Sequence, residues 1–250
     1  MKSKEIPICG LATVQARFKA NPASIKRLYF DYATGRKIGA ICKALAAARK
    51  IYRCVEPAEL EKVSGTLHHA GIVAIVEQQG LRAPTTDDVV KWARAKAPLL
   101  ILDRVGNAHN LGAIARTAVF FGVRQIVIAD HPQQALPGEA AHRISEGGLE
   151  NVEIFAAKDL AKFCRELGAH YRVIGTAVVG AVALRKATKP DTPSVAKPVA
   201  LVLGNEEHGL APEVAKACSL LVTIPGSGLV ESLNVASATA VLCWEFFGKT

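Results

Sequence analysis

The sequence has no apolar run long enough to cross a bilayer: nowhere in its 250 residues do roughly 18 to 20 uninterrupted apolar residues occur, the length a membrane helix needs. A cleavable leader has no core either, because Lys2 and Lys4 are followed by Pro7 and then Arg17. Membrane association is thus not expected, and a cytoplasmic location is. Paired cysteines are also missing. The six cysteines, Cys9, Cys42, Cys54, Cys164, Cys218 and Cys243, form no CxxC, and His68-His69 after Cys54 lacks zinc-ligand spacing. Reduced, mostly buried thiols and no metal are expected. A P-loop is absent, and no GxGxxG follows an early strand, which removes the signatures of an NTPase and of a dinucleotide-dependent oxidoreductase.

What is present is core-forming material and an uneven charge. Half of the residues are apolar, enough for one large core or two modest ones. Residues 1–97 carry 17 Lys and Arg against 8 Asp and Glu, whereas residues 98–250 carry 14 of each. All of the net positive charge lies in the first part, as a surface that displaces counterions from a phosphate backbone requires.

The pattern along the chain predicts an α/β protein in two domains. A helix near Leu11 to Lys19 is followed by a strand Ile25 to Phe30, a helix Ile38 to Lys50, a strand Ile51 to Val55, a short helix begun by Pro57 and a strand Gly71 to Val76. This makes a small α/β sandwich over residues 1–80. Ile38, Ile41, Leu45 and Ala48 recur at helical spacing and leave Arg36, Lys37, Lys43, Arg49 and Lys50 for other faces, a basic surface. Residues 81–97 are expected to be a linker with one helix from Asp87 to Ala95, capped by Thr86 or Asp87. Beyond it, strands at Leu99 to Leu102, Gln125 to Ala129, Val152 to Phe155, Arg172 to Val179, Val199 to Leu203 and Leu220 to Ile224 alternate with helices, the mark of a mostly parallel sheet covered on both faces. Ala181 to Pro198, with three prolines, reads as a surface loop.

Chemistry concentrates at three strand ends. After the first strand of the second domain, Asn110 sits where a helix cap is wanted and Arg116 projects away from the apolar face of Ile114, Ala118 and Phe121. The run Val199 to Leu203 breaks into Gly204-Asn205-Glu206-Glu207-His208-Gly209. The run Leu220 to Ile224 breaks into Pro225-Gly226-Ser227-Gly228 ahead of Ser232-Leu233-Asn234. Glycine-rich turns and polar side chains at neighbouring strand ends are how open α/β sheets build a ligand crevice.

Three segments in this order, Asn110-Leu111-Gly112-x-x-x-Arg116, Leu203-Gly204-x-Glu206-x-x-Gly209-Leu210 and Ile224-Pro225-x-x-Gly228-x-x-x-Ser232-Leu233-Asn234-Val235, resemble the three motifs of the SpoU (TrmH) family of RNA ribose 2′-O-methyltransferases in the SPOUT superfamily. The resemblance spans residues 98–250. More weakly, residues 6–77 are similar to the ribosomal-protein-like RNA-binding domain that precedes the catalytic domain in several rRNA-directed members. The resemblance implies a C-terminal segment tucked into a deep trefoil knot, an exception to the rule against threading. It implies S-adenosylmethionine as cofactor, contacted by Gly204, Ile224, Leu233 and Gly228, and an RNA substrate, with rRNA favoured over tRNA. Arg116 would be the central catalytic residue, oriented with the ribose by Asn110, Ser232 and Asn234, while Glu206 braces the turns. Arg143 and Ser145, in a segment similar to one near the family's RNA path, would join Arg116 in contacting RNA. A homodimer is implied, in keeping with the apolar last helix around Trp244, Phe246 and Phe247. Two positions depart from the family pattern, Gly226 in place of a large apolar residue and Ala236 in place of a serine. An inactive RNA-binding dimer scaffold is the alternative, against which the intact Asn110, Arg116, Glu206, Ser232 and Asn234 speak.

Overall fold

Lys4–Cys9 forms a strand, β1, that the sequence pattern does not predict, since Pro7 interrupts it. Proline is accommodated because β1 lies at a sheet edge, pairing only with β4 (Ile72–Gln78). In this computed structural model, described over residues 4–178, 180–187 and 197–248, the chain divides into two compact units. Met1–Gly80 joins Pro137–Asn151 in the first, and Leu81–Leu136 joins Val152–Thr250 in the second.

In the first unit, α1 (Leu11–Ala20), β2 (Ile25–Phe30), α2 (Tyr32–Gly35), α3 (Gly39–Ala47), β3 (Ile51–Cys54) and α4 (Pro57–Ser64) lie between β1 and β4. The four strands run in the order β1-β4-β2-β3, with β2 and β3 parallel and the other pairs antiparallel. Side chains alternate across the pleat. Ile6, Ile8, Leu28, Phe30, Ala74 and Val76 pack with Val14 of α1 and with Ile41 and Leu45 of α3, while Cys9, Val73 and Ile75 pack with Leu60 of α4 on the opposite face. The sandwich predicted from spacing is present, with helix and strand ends displaced by a few residues.

The second unit starts with α5 (Thr86–Arg94), which lies in the expected linker yet is packed into the core through Val89 and Trp92. Its cap is Thr85, not Thr86 or Asp87: Thr85 Oγ1 accepts from the Asp88 amide, and the Asp88 carboxylate accepts from the Thr85 amide, a capping box. Then follow β5 (Leu99–Asp103), α6 (Ala108–Phe120) and β6 (Gln125–Ala129), and, after the excursion containing α7 (Glu139–Ser145), β7 (Glu153–Ala157), α8 (Leu160–Leu167), β8 (Arg172–Thr176), β9 (Val182–Ala183), α9 (Leu184–Ala187), β10 (Val199–Gly204), α10 (Pro212–Ala217), β11 (Leu220–Thr223) and α11 (Val235–Phe247). The expected loop from Ala181 to Pro198 lies partly outside the described residues. Its described start forms β9 and α9 instead. The seven strands are all parallel, in the order β7-β6-β5-β10-β8-β11-β9. Leu99, Ile101, Ala200 and Val202 face α5, α8 and α10 in one core layer. The alternate residues Leu100, Leu102, Leu201 and Leu203 are buried too, on the face where α11 packs against α6 and β10. Strands buried on both faces read as continuous apolar runs, and that is why the sequence revealed them. β5 and β10 are neighbours although a hundred residues apart, and the chain continues from them in opposite directions across the sheet. Their carboxyl ends form the switch point where such folds place a ligand crevice.

Candidate active site

Strand β5 ends at the switch point in Asp103-Arg104, a pair the sequence reading did not single out. Asp103 is buried, accepts from Arg104 Nε at 2.8 Å and receives the Ala211 amide at 2.6 Å. Arg104 also donates to the carbonyl of Gly209 at 3.4 Å. A charged pair directly after an apolar strand was the available signal. The pair holds the turn after β10 in place, and the turn closes itself. Asn205 and Gly209 exchange both backbone hydrogen bonds at 3.0 Å, Asn205 Oδ1 accepts from the amides of Glu207 and His208, and Asn205 Nδ2 donates to the Arg104 carbonyl at 2.8 Å. Asparagine suits such a turn because its side chain mimics a backbone partner.

The turn presents Glu206 toward the start of α6. Its Oε2 accepts from the Gly106 amide at 3.2 Å and its Oε1 from Asn110 Nδ2 at 2.7 Å. Asn110 Oδ1 in turn accepts from Asn234 Nδ2 at 3.0 Å, and Asn234 Oδ1 accepts from the Ala236 amide at 2.9 Å. The two ends of this relay fix its direction. A carboxylate can only accept and a helix amide can only donate, so both asparagine amides have one permitted orientation. One side chain from each of the three sequence motifs is therefore joined in a single hydrogen-bonded line.

Other expectations shift. Asn110 is not the helix cap: Asn107 caps α6, accepting from the His109 amide at 2.8 Å. That leaves Asn110 in the first turn with its amide available to the relay. The last helix is capped by Asn234. Ser232 and Arg116 are exposed. Of the residues expected at the cofactor, Gly204 is buried, Ile224 is half-buried, and Gly228 and Leu233 are exposed. A cavity of about 540 Å³ opens at the ends of β5, β6 and β7, lined by residues that include Arg104, His131, Lys158 and Arg165. None of the four expected cofactor residues lines it.

Arg143 and Ser145 fall in the first unit. Ser145, at the end of α7, is 1% exposed; its Oγ donates to the His142 carbonyl at 2.9 Å and accepts from the Leu149 amide. It is buried and its hydroxyl is committed to this turn, where the resemblance implies an RNA contact. Arg143 is half-buried, with Nε 3.3 Å from Glu139 Oε1 one helical turn away.

The model of the SpoU rRNA methylase family matches residues 97–244, and the model for RNA 2′-O ribose methyltransferase substrate binding matches residues 7–82. The chain belongs to the SpoU rRNA methylase family. It is 34% identical over 244 residues to the 23S rRNA (guanosine-2′-O-)-methyltransferase RlmB of Nitrosomonas europaea, covering 96% of this chain and 90% of that one. With the uncharacterized tRNA/rRNA methyltransferase YfiF of Escherichia coli O157:H7 it shares 33% over 247 residues, 98% of this chain and 69% of the other. Among solved structures, an rRNA methyltransferase from Sinorhizobium meliloti superposes with a TM-score of 0.75 at 25% identity, covering 96% of this chain and 86% of that one. As a SpoU family member, the protein is an S-adenosylmethionine-dependent RNA ribose 2′-O-methyltransferase.

The segment after β11 fits that cofactor. Residues 225–234 are exposed throughout, and around Gly226 and Gly228 no described residue beyond the immediate chain neighbours lies within 4 Å of where a Cβ would stand. Leu229, Val230 and Leu233 present apolar side chains there, Leu233 being 49% exposed. Open backbone beside apolar side chains suits an adenosyl group, which offers a flat apolar ring with hydrogen-bonding edges. Gly204 has a structural reason to be glycine as well. A Cβ on it would lie 2.3 Å from the carbonyl carbon of Gly209, so glycine is required by the chain's own turn.

Proposed function

We propose that this SpoU family member methylates the 2′-hydroxyl of a guanosine in 23S rRNA, acting in the cytoplasm as a homodimer, with Arg116, Asn110, Glu206, Ser232 and Asn234 as its catalytic set and Gly204, Ile224, Gly228 and Leu233 around the cofactor. The substrate follows that of the RlmB relatives, which align with this chain over 90% and 95% of their own length. The relay Glu206–Asn110–Asn234 is the single observation that carries the site. The knot implied by the resemblance is part of the same reading, supported by the return of α11 onto α6 and β10. A dimer is supported by exposed Phe120 on α6 and by Val241 and Trp244 on α11. In keeping with a soluble enzyme, no described helix is long and apolar enough to cross a membrane.

S-adenosylmethionine, when bound, supplies an electrophilic sulfonium methyl. What the chain must add is orientation, exclusion of water and help with the ribose proton. A guanidinium is always protonated at working pH, so Arg116 acts by fixing the target phosphate and stabilising the forming alkoxide rather than as a base. The oriented amides of Asn110 and Asn234 each keep one N–H beyond the relay with which to hold the ribose or Arg116.

The test is to map ribose methylation in total RNA from cells with and without the gene, and to repeat the reaction with purified protein, labelled cofactor and unmodified 23S rRNA. One guanosine should lose its methyl group in the deletion strain and regain it in vitro. Modification of tRNA alone would overturn the substrate assignment. Arg116→Ala should lower kcat by roughly 10²-fold to 10³-fold or more, the cost of losing one transition-state donor, while calorimetry shows cofactor binding unchanged. Near-normal turnover would remove Arg116 from its role.

A further inference from the structure

From Tyr32 to Val55 the chain holds six Lys and Arg and neither Asp nor Glu. The stretch folds as α2, α3 and β3 and forms one free edge of the first unit's sheet, because β3 pairs with β2 alone. α3 turns Ile41 and Leu45 inward and leaves Gly39, Ala40, Lys43, Ala44, Ala46 and Ala47 exposed. That is a smooth helical face with one cation in its middle. Arg36 and Lys37 precede it, Arg49 follows it and Arg53 stands on the edge strand, all exposed. Among the described residues none of these five has a carboxylate partner. Neighbouring cations are neutralised or committed elsewhere: Lys26 pairs with Glu77 and Arg27 with Glu5, and Lys50 donates to the carbonyls of Pro22 and Ala23.

Two tyrosines accompany the cations. Tyr32 is 77% exposed and Tyr52 is 41% exposed. Tyr52 lies opposite Leu28 in the β2–β3 register, and Leu28 packs with Ile41 and Leu45, so Tyr52 leaves the sheet on the side of α3. Free cations without acids suit a polyphosphate. Small side chains let a sugar-phosphate backbone come close to Lys43. Exposed aromatic rings are what unpaired bases stack on, whereas the deep groove of an RNA duplex admits no side chain.

We infer that the α2–α3–β3 edge is the surface that seats the RNA, phosphates lying along α3 between Lys37, Lys43 and Arg49 and unpaired bases stacking on Tyr32 and Tyr52. This rests on the RNA methyltransferase reading and names the part of the protein that holds its substrate.

The full-length protein is tested with transcribed 23S rRNA. Lys37→Gln/Lys43→Gln/Arg49→Gln should bind the transcript more weakly, with the slope of log K on log salt shallower by about 2, three phosphate contacts having gone. KM for RNA should rise while kcat and cofactor affinity hold. Tyr52→Ala should lose roughly tenfold in RNA affinity. Cys54, the one exposed cysteine among the described residues, should be alkylated more slowly once RNA is bound. Lys19→Gln/Lys62→Gln, which removes two exposed cations outside the stretch, should bind as the wild type does. Unchanged binding by the triple variant, or an equal loss from the control, would overturn the surface. Wild-type protein that binds the transcript through this edge without methylating it would overturn the substrate reading and leave the surface standing.

Discussion

Gly204 and Gly226 occupy similar places in the sequence, each at the end of an apolar strand, and the structure gives them opposite tolerances. At Gly204 a methyl would collide with the backbone of Gly209 and Leu210, and neither can yield without opening the Asn205–Gly209 bridge. Gly204→Ala should therefore destabilise the protein by about 1–3 kcal/mol or more, seen as a lower denaturant midpoint, and lower activity with it. At Gly226 there is open space. Gly226→Met should leave stability within about 0.5 kcal/mol and tighten cofactor binding by adding apolar surface, as calorimetry would show. The motifs made Asn110, Glu206 and Asn234 legible as a set, because three spacings agreed independently. Their mutual hydrogen bonds were not legible, since which amide atom points where depends on partners 96 and 124 residues away.

At the scale of elements, buried strands were the easiest to read and marginal ones the hardest. β1 carries an internal proline and α7 only seven residues, so neither has a periodicity long enough to show. α5 was foreseen as a helix, but its weight in the core was not, because only Val89 and Trp92 are buried. Its start is built from charges. Arg82 donates to Asp88 at 2.6 Å and to Glu153 at 3.1 Å and stacks 4.5 Å over the ring of Phe155. The hydrogen bond from Arg82, then those from Thr85, hold the Asp88 carboxyl well below the usual carboxylate range against the opposing effect of burial. A carboxyl depressed in the folded state stabilises above its unfolded pKa of about 3.9, and that contribution is lost as pH falls through the folded value. Acid unfolding should begin below about pH 4, and Asp88→Asn should flatten that part of the stability curve. Thr85→Ala should cost about 1 kcal/mol at neutral pH, measured by urea denaturation.

For the whole molecule, the segment 137–151 matters most. It is encoded inside the second unit and packed in the first, so the chain passes between the units three times. Within the first unit the side chain of Glu150 is buried, with Oε2 2.7 Å from Arg17 Nε of α1 and Oε1 2.8 Å from His142 Nδ1. The Arg17 contact is close but poorly aligned for hydrogen bonding, so attraction between charges dominates it. Arg17→Met should destabilise by roughly 3–5 kcal/mol by leaving a buried carboxylate uncompensated, and adding Glu150→Gln should restore much of that loss. Deleting residues 1–80 would strip the same partner from Glu150, so surface substitutions test RNA binding more cleanly than truncation does.

By itself the sequence determined the α/β alternation, the division of charge between a basic first part and a balanced second part, and the three motifs that make the chain a SpoU methylase. These are properties of composition and short spacing, and they survive in any local reading. The tertiary structure alone decided that β10 inserts beside β5, that Glu206, Asn110 and Asn234 meet in one line, that Asp103 and Arg104 lock the turn, and that 137–151 packs with the first unit. Each of these depends on hydrogen-bond register and packing between residues far apart in the chain, and no periodicity along the chain encodes which distant strand will be the neighbour.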